Sequence, residues 1–156
     1  MEMKKPFILL VEDDAEICER LSDFLSEAGC EVKTTGKGKE ALALARRENF
    51  AIYLMDSKLP DMTGIEVLRG LNELDQNAHA IIITPFAAKE TAIEALKAGA
   101  YSYLEQPVSR EELLAVINRA FERYQLHVEK ERMEEALQVS EAKYRALEAV
   151  SYTHLR

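Results

Sequence analysis

The sequence predicts an α/β protein, a doubly wound five-stranded parallel sheet followed by an extended C-terminal helix. Short apolar runs, typical of strands covered on both faces, alternate with segments whose apolar residues recur at helical spacing. The breaks between these segments are short, as in the crossovers that join parallel strands. At 156 residues, the chain has room for one ordinary domain and an appendage.

Five strands are expected from the apolar runs. They are Phe7 to Val11, Glu31 to Thr35, Phe50 to Met55, Ala80 to Ile83, and Tyr101 to Leu104. The second strand is the most polar, which suits the edge of a sheet. The fold class predicts the flavodoxin-like strand order 2-1-3-4-5, in which the first and third strands are neighbours where ligands bind.

Four helices are expected between the strands, from apolar residues spaced three and four positions apart. Their markers are Ile17, Leu21, Phe24, Leu25 and Ala28 in the first, Ala41, Leu42 and Ala45 in the second, Ile65, Val67, Leu68 and Leu71 in the third, and Thr91 to Ala98 in the fourth. Gly29 and Gly99 supply C-terminal stops for the first and fourth helices.

One helical pattern runs from Ser109 almost to the end of the chain, with Ser109 as the expected N-cap. Past about Tyr124, charged residues dominate and the apolar residues thin to a narrow stripe. We therefore expect a domain over residues 1–124, a helical linker or coiled coil over 125–150, and a tail over 151–156. The tail does not continue the pattern, and we interpret it as a truncation or a non-native sequence.

The stripe on this helix consists of positions that alternate four and three residues apart. They are Met133, Leu137, Ser140, Tyr144 and Leu147. This spacing is typical of the a and d positions of a coiled coil, so it predicts a homodimer through the C-terminal helix. The alternative is one amphipathic helix that folds back on its own domain.

Carboxylates end the first and third predicted strands. Glu12 to Asp14 follow the first strand, and Asp56 ends the third, just before a loop marked by Pro60 and Gly64. Neighbouring strands would bring these acids to one edge of the sheet. Like charges held that close repel each other, so the arrangement indicates a hard cation between them.

The overall charge excludes some classes of partner. The 28 acidic and 20 basic residues give a net charge of −8, which argues against a nucleic-acid or anionic-membrane surface. No apolar stretch approaches the roughly 18 to 20 residues that cross a bilayer. Cys18 and Cys30 fit no metal-binding spacing. We expect a cytoplasmic protein with reduced thiols.

The chain from about Lys5 to Tyr124 resembles the receiver domain of two-component response regulators. The motifs that carry the resemblance are Ile8 to Asp14, Leu54 to Asp56, Leu59 to Gly64, Ile81 to Thr84, Lys97 to Ala100, and Tyr103 to Pro107. Their order and spacing make the resemblance specific. It implies a phosphoacceptor domain that works with a histidine kinase or a phosphotransfer protein.

The resemblance also implies roles for single residues. Asp56 would accept the phosphoryl group, and Mg²⁺ would be held by Glu12, Asp13, Asp56 and the backbone carbonyl of Lys58. Mg²⁺ prefers octahedral oxygen coordination through a few carboxylates and phosphate. A carboxylate nucleophile that forms an acyl phosphate is a known mode of covalent chemistry.

Further along, Thr84 would meet the phosphoryl oxygens, and Tyr103 would be the aromatic residue that reports on that contact. Two positions depart from the family pattern. Gln106 stands where the family has a lysine, so a full positive charge is replaced by an amide. Pro85 follows Thr84 and has no N–H to donate. We expect weakened or unusual switching from these two changes.

Two functions other than phosphorylation are compatible with parts of the pattern. A phosphorylation-independent dimerisation or docking module is the main alternative. A phosphate-transfer enzyme with an aspartate nucleophile would need a second aspartate two residues later, where this chain has Lys58, so we expect no enzyme. Finally, Ser140 to Glu148 resembles the lead-in helix of a PAS sensor domain, which implies a parent protein with a receiver ahead of a sensor or output module.

Overall fold

The computed structural model describes residues 5–74, 78–85 and 89–154. Strands and helices alternate along the chain. They are β1 (Phe7–Val11), α1 (Ala15–Glu27), β2 (Glu31–Thr35), α2 (Gly38–Arg47), β3 (Ile52–Asp56), α3 (Gly64–Asn72), β4 (His79–Thr84), α4 (Lys89–Lys97), β5 (Ser102–Glu105) and α5 (Arg110–His154). Every predicted strand and helix is present. At most ends, the observed bound differs from the predicted one by a few residues.

The five strands form one parallel sheet in the order β2-β1-β3-β4-β5. The predicted fold class and strand order are therefore confirmed. In β1, Val11 lies opposite Thr35 on one side and Met55 on the other, and Asp56 at the end of β3 lies opposite Ile83. The register brings the carboxyl ends of β1 and β3 to the same edge of the sheet.

Helices cover both faces of the sheet, and the side chains of β1 alternate between them. Leu9 and Val11 pack in a core with residues of α2 and α3, whereas Ile8 and Leu10 pack in a second core with residues of α1 and α5. All four of these side chains are fully buried. Burial on both faces explains why the strands read as continuous apolar runs rather than as alternating ones.

The chain divides into two compact units, Met1–Tyr124 and Gln125–Arg156. Helix α5 is described up to His154, so it includes residues that the sequence assigned to a tail. Leu155 and Arg156 lie outside the described residues. In the part of the chain that the structure describes, no helix is long and apolar enough to span a membrane.

Candidate metal and phosphoryl site

Three carboxylates meet at the edge of the sheet where β1 and β3 end. One oxygen from each of Glu12, Asp13 and Asp56 can be chosen so that all three lie within 4.8 Å of one another. Glu12 is buried, Asp56 is half-buried, and Asp13 is exposed to solvent. The two strands hold the first and last of these groups, since Glu12 directly follows Val11 and Asp56 is the last residue of β3.

Glu12 is held in the pocket by its backbone and by one carboxylate oxygen. Its N–H donates to the carbonyl of Thr35 at 2.9 Å, and its Oε1 accepts from the N–H of Asp14 at 3.1 Å. Its other oxygen, Oε2, is buried and accepts no hydrogen bond from the described residues. An unpartnered buried carboxylate oxygen is costly, and a cation in the cluster would satisfy it. The residues present therefore fit a metal ion.

Burial and mutual repulsion both favour protonation of the cluster. Burial raises the pKa of Glu12 from an ordinary 4.5 to about 7, and the negative charges of Asp56 and Asp13 add to the increase. Burial is also the largest cause that raises the pKa of Asp56, whereas the N–H of Lys58 and a hydrogen bond from the protonated Glu12 side chain lower it. A divalent cation would compete with this proton, because it stabilises the ionised carboxylates.

A tight loop after β3 presents backbone groups to Asp56. The N–H of Lys58 donates to Asp56 Oδ1 at 3.3 Å. Lys58 and Thr63 form an isolated antiparallel bridge, flanked by hydrogen bonds from Leu59 N–H to the Met62 carbonyl and from Gly64 N–H to the Ser57 carbonyl. Lys58 and Thr63 are therefore a non-hydrogen-bonded antiparallel pair, in which the neighbouring residues make the hydrogen bonds between the two segments. The N–H and C=O of Lys58 both point away from Thr63.

Ser57 anchors the base of this loop, although no sequence pattern indicated a role for it. Its side chain is buried, and its N–H donates to the carbonyl of Ile83 at 2.9 Å. Its own carbonyl accepts from Gly64 at 3.0 Å. The only signal in the sequence was its position directly after Asp56, which does not reveal either hydrogen bond.

The start of α3 passes so close to β3 that only glycine fits there. A Cβ atom on Gly64 would lie 2.4 Å from the backbone oxygen of Asp56, far inside van der Waals contact. The clash is with backbone rather than with a flexible side chain, so it can be relieved only by moving the loop or the strand end. Gly64 therefore fixes the distance between α3 and the candidate phosphoacceptor.

We predict that Gly64→Ala destabilises the domain by about 1–3 kcal/mol, the range typical of overpacking. The measurement is urea denaturation followed by circular dichroism. Gly70→Ala is a control within the same helix, because a Cβ there meets the side chain of Leu42 instead of backbone. Equal losses in the two variants would contradict the prediction.

Thr84 and Gln106 are adjacent at the ends of β4 and β5. Thr84 is buried, and its carbonyl accepts from the N–H of Gln106 at 2.9 Å. Tyr103 in β5 is 42% exposed, and Pro85 is exposed at the bend after Thr84. The peptide bond between Gln106 and Pro107 is cis. The roles of these residues toward a phosphoryl group stay predictions.

The fold and the acidic cluster are those expected of the receiver domain that the sequence motifs predicted, and comparison with known families agrees with this class. The chain belongs to the response regulator receiver domain family, whose sequence profile matches residues 8–118. The predicted family is therefore confirmed, and the chain is a receiver domain of a two-component response regulator.

Several characterised proteins are similar to this chain. The regulatory protein AtoC of Escherichia coli K12 is 31% identical over 133 residues, which cover 85% of this chain and 29% of AtoC. The cell cycle transcriptional regulator CtrA of Caulobacter vibrioides is 30% identical, with 78% of this chain and 53% of CtrA covered. This chain spans about a quarter to a half of the length of the curated relatives it matches.

Solved structures of receiver domains match along nearly their full length. A CheY-like receiver domain from Methanospirillum hungatei JF-1 has a TM-score of 0.75 and 32% identity, and the match covers 80% of this chain and 99% of that one. The beryllofluoride-activated receiver domain dimer of NtrC4 has a TM-score of 0.72 and 33% identity, with 76% and 98% covered. These likenesses support both the fold and the family.

Proposed function

We propose that this receiver domain accepts a phosphoryl group on Asp56 from a histidine kinase or a phosphotransfer protein, with Mg²⁺ held by the acidic cluster. The observation that carries the proposal is the convergence of Glu12, Asp13 and Asp56, each with one carboxylate oxygen within 4.8 Å of the others, and Glu12 also has a buried oxygen that accepts no hydrogen bond. Carboxylate oxygens are the ligands that a hard divalent cation prefers, and Mg²⁺ is usually held by one or two of them together with water and phosphate. A cytoplasmic location is part of the same proposal.

The orientation of Lys58 supports its carbonyl as a fourth oxygen ligand. In extended backbone, the N–H and C=O of one residue lie on the same edge of the strand. The N–H of Lys58 meets Asp56 Oδ1 on that edge. We therefore expect the carbonyl of Lys58 to face the side where the carboxylates converge.

In the proposed reaction, one oxygen of Asp56 attacks the phosphorus atom of a phosphohistidine. A phosphorus–oxygen bond forms, the phosphorus–nitrogen bond breaks, and the histidine leaves with the electron pair of the broken bond. The hydrogen bond from Lys58 holds Oδ1 and so orients the carboxylate for the attack. Bound Mg²⁺ would supply charge neutralisation during an in-line transfer.

The residues around the transferred group explain the weakened switching that we propose. The Thr84 hydroxyl and the Gln106 amide would donate to phosphoryl oxygens, and Tyr103 would respond to the position of Thr84. A neutral amide makes a hydrogen bond about half as strong as a charged group does. Since Pro85 offers no N–H, two of the expected contacts to the phosphoryl group are changed.

Mg²⁺-dependent labelling by a small phosphodonor tests the proposed function. Intact mass spectrometry should show one added phosphoryl group in the presence of Mg²⁺ and none with excess chelator. No acyl phosphate in the wild-type domain would overturn the proposal. In the alternative, a docking module that ignores phosphorylation, partner affinity and oligomeric state would be the same before and after labelling.

We also propose that the helical unit after Tyr124 pairs with a second copy of itself. Its apolar residues at the predicted a and d positions are exposed in the structure, with Met133 68%, Leu137 60%, Tyr144 65% and Leu147 69% exposed. Leu126, one heptad before Met133, is 65% exposed and extends the same stripe. A stripe of large apolar side chains on a charged helix favours association with a helix that carries the same stripe, and a second copy of the chain supplies one.

We predict that Leu137→Gln raises the dissociation constant of this dimer by about 100- to 10,000-fold, because both copies lose a buried leucine worth roughly 1.5–3 kcal/mol, or roughly 3–6 kcal/mol per dimer. Sedimentation equilibrium measures the change. Val139→Gln is the matched control, since Val139 is also exposed but lies off the stripe. A wild-type protein that is monomeric at all concentrations, or equal effects of the two substitutions, would contradict the proposal.

A further inference from the structure

Asp61, at the tip of the loop after β3, caps a helix that is distant in sequence. Its Oδ1 accepts from the N–H of Gly38 at 2.8 Å, and its Oδ2 accepts from the N–H of Lys39 at 2.9 Å. The two N–H groups, that of Lys39 first, lower the pKa of the Asp61 carboxyl. These N–H groups belong to the first turn of α2, where the helix itself offers no acceptors.

Helix α2 has no side-chain cap from its own N-cap residue. Lys37 occupies its N-cap position and makes no side-chain hydrogen bond to the first turn. By contrast, α1 is capped by Asp14 and α3 by Thr63, each from the N-cap position. Asp61, more than 20 residues away in sequence, therefore takes the place of the missing N-cap.

The start of α2 also presses directly on the loop. A Cβ atom on Gly38 would lie 2.3 Å from Cγ of Met62 and 2.7 Å from Cγ2 of Val67. Met62 and the first turn of α2 are thus in close contact, beside the two hydrogen bonds of Asp61. Two independent observations show that α2 holds the tip of the loop in place.

The same short loop carries Lys58, whose backbone faces the carboxylate of Asp56. Lys58 and Asp61 are joined by only two intervening residues, and the loop is closed by the bond from Leu59 N–H to the Met62 carbonyl at 3.1 Å. In a closed loop of this size, a shift at the tip changes the backbone orientation at its base. Loss of the anchor at Asp61 would therefore be expected to change the orientation of the Lys58 carbonyl.

We propose that Asp61 is a positioning residue for the metal site, which holds the Lys58 carbonyl toward the acidic cluster by clamping the loop to α2. The inference rests on the proposed function, because it assigns Asp61 a role at the same Mg²⁺ site. Among the described residues, the side chain of Asp61 bonds to Gly38 and Lys39 and to none of the three carboxylates. Its effect is transmitted by the backbone alone.

The test compares Mg²⁺ binding by Asp61→Ala with binding by the wild-type chain, by calorimetric titration of Mg²⁺ alone. We expect the dissociation constant to rise about ten-fold, the lower end of the range for supporting groups around a metal ligand. Asp61→Asn should fall between the two, because its amide offers one acceptor where the carboxylate offers two. Amide exchange of Gly38 and Lys39 should accelerate in Asp61→Ala without any metal present.

Asn72→Ala is the matched control. The Asn72 side chain donates to the carbonyl of Ala98 at 2.7 Å, so it is also a long-range anchor between a side chain and the backbone. It joins the C-terminal ends of α3 and α4, at the opposite edge of the sheet from the carboxylates. Its loss should leave Mg²⁺ affinity unchanged.

The outcomes separate the two proposals. If the wild-type chain binds no Mg²⁺, the proposed function fails. If the wild-type chain binds Mg²⁺ and Asp61→Ala binds it equally well, while the Gly38 and Lys39 amides lose their protection, the positioning role alone is overturned. The role is also overturned if Asn72→Ala weakens Mg²⁺ binding as much as Asp61→Ala does, because the effect would then be one of general stability.

Discussion

The Asp56→Asn variant is expected to take up no phosphoryl group from a small phosphodonor, at any Mg²⁺ concentration. The substitution removes the nucleophile, because an amide oxygen does not form a stable acyl phosphate. It also removes one of the three negative charges that converge at the cluster. Intact mass spectrometry of the labelled protein measures the loss, and acid-resistant or residual labelling at another residue would contradict the assignment of Asp56.

This variant should remain folded, which makes the loss interpretable. Burial raises the pKa of Asp56, so the folded domain already favours a neutral side chain at this position. Asp23→Asn is the matched control, because it makes the same chemical change at an exposed position of α1. Labelling should be equal to that of the wild-type chain in Asp23→Asn and absent in Asp56→Asn.

The sequence predicted the fold because the strands are buried on both faces. Runs such as Phe7 to Val11 are apolar throughout, and this pattern requires layers above and below the sheet, which the cores around Leu9 and Ile8 confirm. The strand order followed from the fold class. Once β1 and β3 are neighbours, residues at their carboxyl ends must meet, so the approach of Glu12 to Asp56 was also predictable.

Contacts made by the loop after β3 were not predictable from the sequence. Asp61 bonds to residues 22 and 23 positions earlier in the chain, and its spacing from Asp56 carries no periodic signal. The close approach of Gly64 to the Asp56 carbonyl depends on backbone distances that a motif does not encode. Likewise, the orphaned oxygen of Glu12 appears only when the partners of its other oxygen are known.

Glu12→Gln is expected to flatten the dependence on pH of the free energy of unfolding, measured without metal. In the folded domain, burial raises the pKa of Glu12 from an ordinary 4.5 to about 7. The folded state therefore binds this proton more tightly than the unfolded chain does, and the stability that results is fully present below about pH 4.5. It is lost as the pH rises to about 7.

The size of this loss follows from the shift. One pKa unit corresponds to about 1.4 kcal/mol, so the rise from 4.5 to about 7 should cost the wild-type domain about 3 kcal/mol between pH 4.5 and pH 8. Glu12→Gln removes this contribution and should be more stable than the wild type at pH 8 by a similar amount. A smaller slope of the same sign remains, because the pKa of Asp56 is raised as well.

Addition of Mg²⁺ should then reverse the order of the two proteins. At pH 8, Mg²⁺ binds the ionised cluster of the wild type and stabilises it, since a ligand that binds only the folded state adds to the free energy of unfolding. Glu12→Gln lacks a charged ligand, so its Mg²⁺ affinity should fall further than the roughly 10- to 100-fold loss that is typical when only a group supporting a metal ligand is removed.

Urea denaturation between pH 5 and pH 8, with and without Mg²⁺, measures both effects. The exposed Glu19→Gln variant is the control, and it should follow the wild type throughout. Parallel pH profiles of Glu12→Gln and the wild type would show that the buried carboxylate of Glu12 does not hold the proton on which the argument depends.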